Sequence, residues 1–284
     1  MKKFYFSGAA IVMLLSLVAV TLLGGCNPEE TSKIKVVTST SLMEYIVRQV
    51  GGERVEAVNL VPPNQHPGNF DVKPGDIQKL ATASLFLLHG WPGEGYADKL
   101  VASANNSGLT VIKASVDGNW MIPSVQLAAT DRVVSVLSQV DGKNAPEYQK
   151  AAEAYKKRIQ AKEADIKARL AKANVATVKV IASTRQADFL QWAGFKVPVT
   201  FAPAQALTPQ TVKDLIDKGR AEGIKLVINN LQDGQDAGKA IAQELGAKNL
   251  NLSNFPGGFD NTETWEKAIE HNVDIILNSL TPLK

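Results

Sequence analysis

Residues 147–173 read EYQKAAEAYKKRIQAKEADIKARLAKA, a run without glycine or proline. Its larger apolar residues are Tyr148, Tyr155, Ile159, Ile166 and Leu170. They recur at sevens and fours, which places them on one helical stripe, while Lys, Arg and Glu cover the remaining faces. At about 1.5 Å per residue, such a helix is roughly 40 Å long. Two arrangements could bury the stripe. One is a two-stranded coiled coil, disfavoured by a seam of barely four heptads that carries two tyrosines. The other, which fits better, is a single stiff helix spanning two lobes.

The flanks on both sides of this helix support the second arrangement. Before it, β-branched or apolar runs at 34–38, 55–61, 85–88 and 109–114 alternate with helical stretches at 42–50, 76–83, 95–104 and 125–140. After it, strand signals at 178–182, 197–201, 225–228 and 250–252 alternate with helical stretches at 186–193, 208–221, 237–245 and 262–280. Gly51-Gly52 and Gly246 are helix stops, and Thr208-Pro209 pairs an N-cap with a proline at the first helical position. Repeated βα units imply parallel sheets covered by helices. The predicted fold class is therefore α/β, with two parallel-sheet lobes joined by one long backbone helix. The expected boundaries are 34–141 for the first lobe, 142–174 for the helix and 175–284 for the second lobe.

The N-terminus reads as a secretory signal. Lys2 and Lys3 precede an apolar run at 9–23, which ends in Gly24-Gly25-Cys26. The run is marginal for a bilayer span, and a small-residue pair directly before Cys resembles a lipobox. The competing reading is an uncleaved anchor helix. We expect removal of residues 1–25, lipidation of Cys26 and a polar tether at 26–33, giving an envelope lipoprotein that faces the periplasm or the cell exterior. Cys26 is the only cysteine, so no internal disulfide can form. The formal charge of +3 falls to +1 once the two signal lysines are gone. That near-neutral balance gives no electrostatic case for nucleic acid.

The chain resembles the metal-receptor class of ABC-transporter substrate-binding proteins, the zinc- and manganese-type receptors. The residues that carry the resemblance are "VPPNQHPGNFDVKPGDI" at 61–77, "ATASLFLLHGWPGEGYADKLVASA" at 81–104, "NAPEYQKAAEAYKKRI" at 144–159 and "TETWEKAIEHNVDIILNSL" at 262–280. The resemblance implies two α/β lobes on a rigid helix, a ligand cleft between them, and an ABC permease with its ATPase as partners. It implies a monomeric receptor without a resident cofactor.

That family holds its metal with three His and one carboxylate, a donor set suited to zinc and manganese. Carried onto this chain, the first His position is Gly68, the second Gly118, the third Thr184, with Arg185 where the family has Asp, and the carboxylate position is Asn230. No metal site is therefore expected there, and an Arg beside it would repel a bare dication. The chain has only three His.

Ligands of open α/β sheets bind outside the carboxyl ends of the strands. Those ends carry hydroxyls, amides, two Trp, two His and one Arg. The candidate ligand-binding residues are Arg185, Asn230, Thr184, Gly68, Gly118, His66, His89, Trp91 and Trp120. Each has a plainer role open to it: Arg185 as a surface ion pair, the tryptophans as lobe core, His66 as an ordinary loop residue. Arg and hydroxyl donors beside flat indoles suit a small organic, anionic or chelated ligand. The alternative is a zinc or manganese receptor with a relocated site at His66, His89, Asp71 and Asp260. His271, on the last helix, is expected to be solvated. No nucleophile elbow, phosphate loop or H-E-x-x-H stands in the sequence, and Ser183-Thr184 lacks an evident His partner, so no enzyme is expected. An envelope adhesin or sensor accessory with an emptied cleft is the remaining alternative.

Overall fold

The computed structural model describes Met1 and residues 33–234 and 238–280. Cys26, and the signal and tether apart from Met1 and Lys33, lie outside the described residues. Among the described residues, no helix is long and apolar enough to cross a membrane.

The first lobe contains β1 (Ile34–Thr38), α1 (Ser41–Gly51), β2 (Val55–Asn59), α2 (Pro74–Ala81), β3 (Leu85–Leu88), α3 (Ala97–Ala104), β4 (Thr110–Lys113) and α4 (Pro123–Val140). The backbone helix α5 follows (Ala145–Lys172, 28 residues). The second lobe contains β5 (Lys179–Ser183), α6 (Ala187–Ala193), β6 (Lys196–Phe201), α7 (Pro209–Ala221), β7 (Leu226–Asn230), α8 (Lys239–Leu245), β8 (Lys248–Leu252) and α9 (Trp265–Leu280). Every strand pair is parallel. The strand orders are β2-β1-β3-β4 and β6-β5-β7-β8, the same winding twice. In each sheet the chain leaves the two central strands in opposite directions. A crevice therefore opens at the carboxyl ends of β1 and β3, and another at those of β5 and β7.

The predicted stripe of α5 is the axis of the core. Tyr148, Tyr155, Ile159 and Ile166 are fully buried and Leu170 is 1% exposed. Their cluster runs continuously from Val36 and Leu42 in the first lobe to Trp265 and Val273 in the second. Burying each such side chain is worth about 1.5–3 kcal/mol. Because both lobes are seated on one helix through these residues, the sequence supplies a stiff frame rather than a loose hinge. Smaller clusters around Phe86 and around Val227 cover the outer faces of the two sheets. All of Leu85–Leu88 is buried, as a strand covered on both faces requires.

The local stops act where expected. Gly52 and Gly246 adopt positive φ at helix ends, and the Thr208 hydroxyl accepts from the Thr211 N–H. The last helix begins at Trp265 rather than at 262. Asn261 stands in the left-handed region at φ 62°, and the Thr262 hydroxyl donates back to the Phe259 carbonyl at 2.7 Å. Those two features hold the chain in a turn until Thr264, whose carbonyl accepts the first helical N–H, from Ala268.

Candidate functional site

A cavity of about 260 Å³ lies between the carboxyl ends of the two sheets. The first lobe lines it with Leu42, His66, Pro67, Trp91, Gly118, Asn119 and Trp120. The second contributes Thr184, Arg185, Asp188, Asn230, Gln232, Asn254 and Phe255.

The aromatic wall is built by the short stretch that follows β3, His89-Gly90-Trp91-Pro92-Gly93-Glu94. Gly90 turns the chain at φ 89°. The buried Glu94 carboxylate then accepts the backbone N–H groups of His89 (2.9 Å), Gly90 (2.7 Å) and Trp91 (3.1 Å). Charge-assisted bonds of this kind are the stronger ones, and they fix the loop. Trp91 consequently stacks on His89 with centroids 3.6 Å apart and planes 12° from parallel. Trp120 meets both rings edge-on, held by its indole N–H to the Val116 carbonyl at 3.0 Å.

His89 is 1% exposed and does not line the cavity. Its Nε2 pairs with the Thr40 hydroxyl at 2.7 Å, and its Nδ1 has no partner. Burial pushes its pKa well below the ordinary imidazole value, so it stays neutral. The expectation that His89 contacts a ligand is thus replaced: it backs the indole of Trp91 from beneath.

The opposite wall is an amide network. The Gln186 amide donates to Asn230 Oδ1 and to Asn254 Oδ1, both at 3.0 Å. Asn119 of the first lobe donates to Asn254 Oδ1 (3.0 Å) and to the Arg185 carbonyl (3.1 Å) of the second. Gln232 donates across the cleft to the Pro63 carbonyl at 2.8 Å and accepts from the Asn254 N–H at 3.1 Å. Asn230 donates to Asp233 Oδ2 at 3.0 Å, and that oxygen lies 3.9 Å from Arg185 Nε. Asp233 is nearly buried while the Arg185 side chain is 48% exposed.

His66 stands on the first-lobe side, with its Nδ1 accepting the Gly68 N–H at 3.0 Å. A Cβ built on Gly68 would lie 3.0 Å from that same nitrogen. The ring therefore occupies the space that a side chain at position 68 would need. Gly118 has φ 102°, and a Cβ there would press on Val125. The backbone at Gly118 favours glycine, whereas at Gly68 it is the His66 ring that crowds a side chain.

Of the candidates named from sequence, the structure brings His66, Trp91, Gly118, Trp120, Thr184, Arg185 and Asn230 to one cavity. It does not bring Gly68 or His89 to the wall, and Asp71 and Asp260 lie exposed elsewhere. The relocated metal set of His66, His89, Asp71 and Asp260 does not converge. Among the described residues, no group of three or more His, Cys, Asp or Glu could hold a metal ion. His271 is half-buried rather than solvated, with its ring 4.9 Å from that of Phe259.

Sequence reading had passed over Asn119, Gln186, Gln232, Asn254, Asp233 and Glu94. Asn119 and Asn254 follow the carboxyl ends of β4 and β8, so the strand-end rule alone could have nominated them. Glu94 could have been found as the acid three residues after Trp91, where a capping carboxylate belongs.

Comparisons with known proteins agree with this architecture. The profile of the family described as zinc-uptake complex component A, periplasmic, matches residues 36–279. The iron-binding protein YfeA of Yersinia pestis is 26% identical over 290 residues, covering 94% of this chain and 93% of that protein. The manganese ABC transporter substrate-binding lipoprotein PsaA of Streptococcus pneumoniae is 24% identical over 247 residues, covering 78% and 79%. Among solved structures, the substrate-binding protein FpvC of Pseudomonas aeruginosa in complex with Mn2+ superposes with a TM-score of 0.75 at 23% identity, covering 88% of this chain and 98% of that one. A crystal structure of ZnuA gives 0.72 at 19% identity, covering 88% and 100%. These two share the fold. The chain belongs to the zinc-uptake-component family of metal-binding ABC-transporter substrate-binding proteins, which are solute receptors and not enzymes.

Proposed function

We propose that this receptor is exported and anchored to the cell envelope through a lipid on Cys26, and that its interlobe cavity takes a small organic, anionic or chelated ligand rather than a bare divalent cation. It would deliver that ligand to an ABC permease driven by its ATPase. The observation that carries the reading is Arg185 in the wall of a cavity where Gly118, Thr184 and Asn230 stand at three of the positions that the family resemblance gives to metal ligands, with Gly68 at the fourth lying off the wall. Two glycines, a hydroxyl and an amide offer no thiolate, imidazole or carboxylate to a dication. A fixed cation beside them raises the electrostatic cost of adding another. The indoles of Trp91 and Trp120 provide a flat apolar face for an organic body. The lipoprotein name of the pneumococcal relative supports the anchor.

Native mass spectrometry of untagged protein purified without added metal tests the cargo. The expected result is a bound organic or chelate mass, lost on substituting Arg185. Stoichiometric zinc or manganese, removed by a chelator and restored by the metal alone, would overturn it. Metabolic labelling with a palmitate analogue, abolished by Cys26→Ser, tests the anchor.

A further inference from the structure

We propose that His66 and Arg185 form a paired donor site for one oxyanion group of the ligand, with His66 Nε2–H on one side of the cavity and the guanidinium on the other. The inference rests on the reading that the cavity accepts an anionic ligand. It goes further by assigning the contacting atoms and their protonation.

The argument starts at Gly68. Its N–H points at His66 Nδ1 at 3.0 Å, so that nitrogen must offer a lone pair. In a neutral imidazole the single proton then sits on Nε2, which becomes a donor. The half-buried position of the ring and the positive charge of Arg185 push its pKa down against the opposing charge of Asp233, and the lowered pKa favours the neutral form. Metal coordination through Nε2 would need the proton moved to Nδ1. Two N–H groups would then face each other at hydrogen-bond distance. The contact with Gly68 therefore makes His66 a donor to oxygen and a poor ligand for a cation.

Arg185 is complementary. Its Nε faces Asp233 at 3.9 Å, and Asp233 is held in turn by Asn230. Neither terminal guanidinium nitrogen has a hydrogen-bond partner among the described residues. Asp233 thus lies on the Nε side of the fork, which leaves the tips to a carboxylate or phosphate.

The side-chain amides of the wall are already engaged. The amides of Asn119, Asn230, Gln232 and Asn254 bond to one another, to Gln186 or to backbone. Asp188 also lines the cavity but is exposed, and water screens its charge. With two carboxylates near a single Arg, the site suits one oxyanion group rather than a polyanion.

The test uses the whole mature protein labelled with nitrogen-15. Long-range proton–nitrogen NMR correlations report the His66 tautomer directly. The Nε2–H form is expected, and the Nδ1–H form would overturn the proposal. Acetate, citrate and inorganic phosphate are then titrated separately, which distinguishes carboxylate from phosphate recognition. Binding is expected to shift His66 Nε2 and the Arg185 guanidinium resonances. Arg185→Gln and His66→Phe, checked for native melting, are each expected to weaken it roughly tenfold or more. If none of the three oxyanions bound at millimolar concentration, the proposal would fail. Oxyanion binding insensitive to both substitutions would remove the donor pair while leaving the anionic reading intact. Zinc chloride alone, binding tightly with loss of the Nε2 proton, would overturn both.

Discussion

Asn119 of the first lobe donates its side-chain amide to Asn254 of the second at 3.0 Å, across 135 positions of sequence. The same nitrogen reaches the Arg185 carbonyl at 3.1 Å, and Asn119 Oδ1 accepts the Met121 N–H at 2.8 Å. One side chain therefore ties the lobes together and holds the backbone of the residue that we assign to ligand capture. Asn119→Ala is expected to cost about 1–3 kcal/mol, since it strands partially buried partners. In a double-mutant cycle with Asn254→Ala, a coupling of about 0.5 kcal/mol or more is expected. Urea midpoints of the four proteins measure it. Additive effects would show that the contact carries no interlobe energy.

Glu94 is expected to be as important to the cavity as any residue that lines it. Its carboxylate accepts three consecutive N–H groups, and bonds to an ionised acceptor are worth about 1.5–3 kcal/mol each. Glu94→Gln keeps the size but turns one oxygen into a donor facing donors. A loss of about 2–3 kcal/mol is expected. The indole of Trp91, released from its stack on His89, should show lower fluorescence anisotropy. Unchanged anisotropy would mean that packing alone holds the loop.

The sequence made the frame readable because its signals are local. The sevens and fours of Tyr148 to Leu170 define the buried stripe without reference to anything distant, and the apolar run Leu85–Leu88 does the same for a doubly covered strand. The strand-end rule then placed Trp91, Trp120, Arg185 and Asn230 around one cavity. The amide network stayed hidden because its bonds join Gln186 to Asn230 and Asn254, or Gln232 to Pro63, over separations that no periodicity records. His89 was misplaced for a related reason. It sits at a strand end, but the Glu94 loop folds Trp91 over it and shuts it away from the cavity.

The junction between α5 and α9 separates two kinds of stabilisation. Arg158 meets Glu266 at 3.4 Å, Lys162 meets Glu270 at 3.0 Å, and Arg169 pairs with Asp274. These pairs are part-exposed, and such pairs contribute about 1 kcal/mol or less. Ile166 lies fully buried on the same helix, where truncation to Ala costs about 2–5 kcal/mol. Lys162→Ala should therefore barely move the urea midpoint, and its small effect should vanish in high salt. Ile166→Ala should move the midpoint strongly at any salt. The reverse order would make the ion pairs, not the stripe, the joint between helix and lobes.

His89 makes the protein sensitive to mild acid. Its folded pKa is held well below the ordinary value by burial, while the unfolded chain titrates near pH 6.5. Above that pH, neither state takes up the proton and the stability is full. As the pH falls below about 6.5, the unfolded chain binds a proton that the native chain refuses. Stability then declines by about 1.4 kcal/mol per pH unit until the folded pKa is reached. His66 is shifted the same way but is only half-buried, so it adds to the slope without replacing it. His89→Gln keeps a polar group opposite the Thr40 hydroxyl and removes the titration. It should be less stable than the parent at pH 7.5, because the stack with Trp91 is lost, yet its stability should fall less between pH 6.5 and pH 5. Urea denaturation at these three pH values measures both quantities. Parallel declines in the two proteins would show that His89 does not supply the acid dependence.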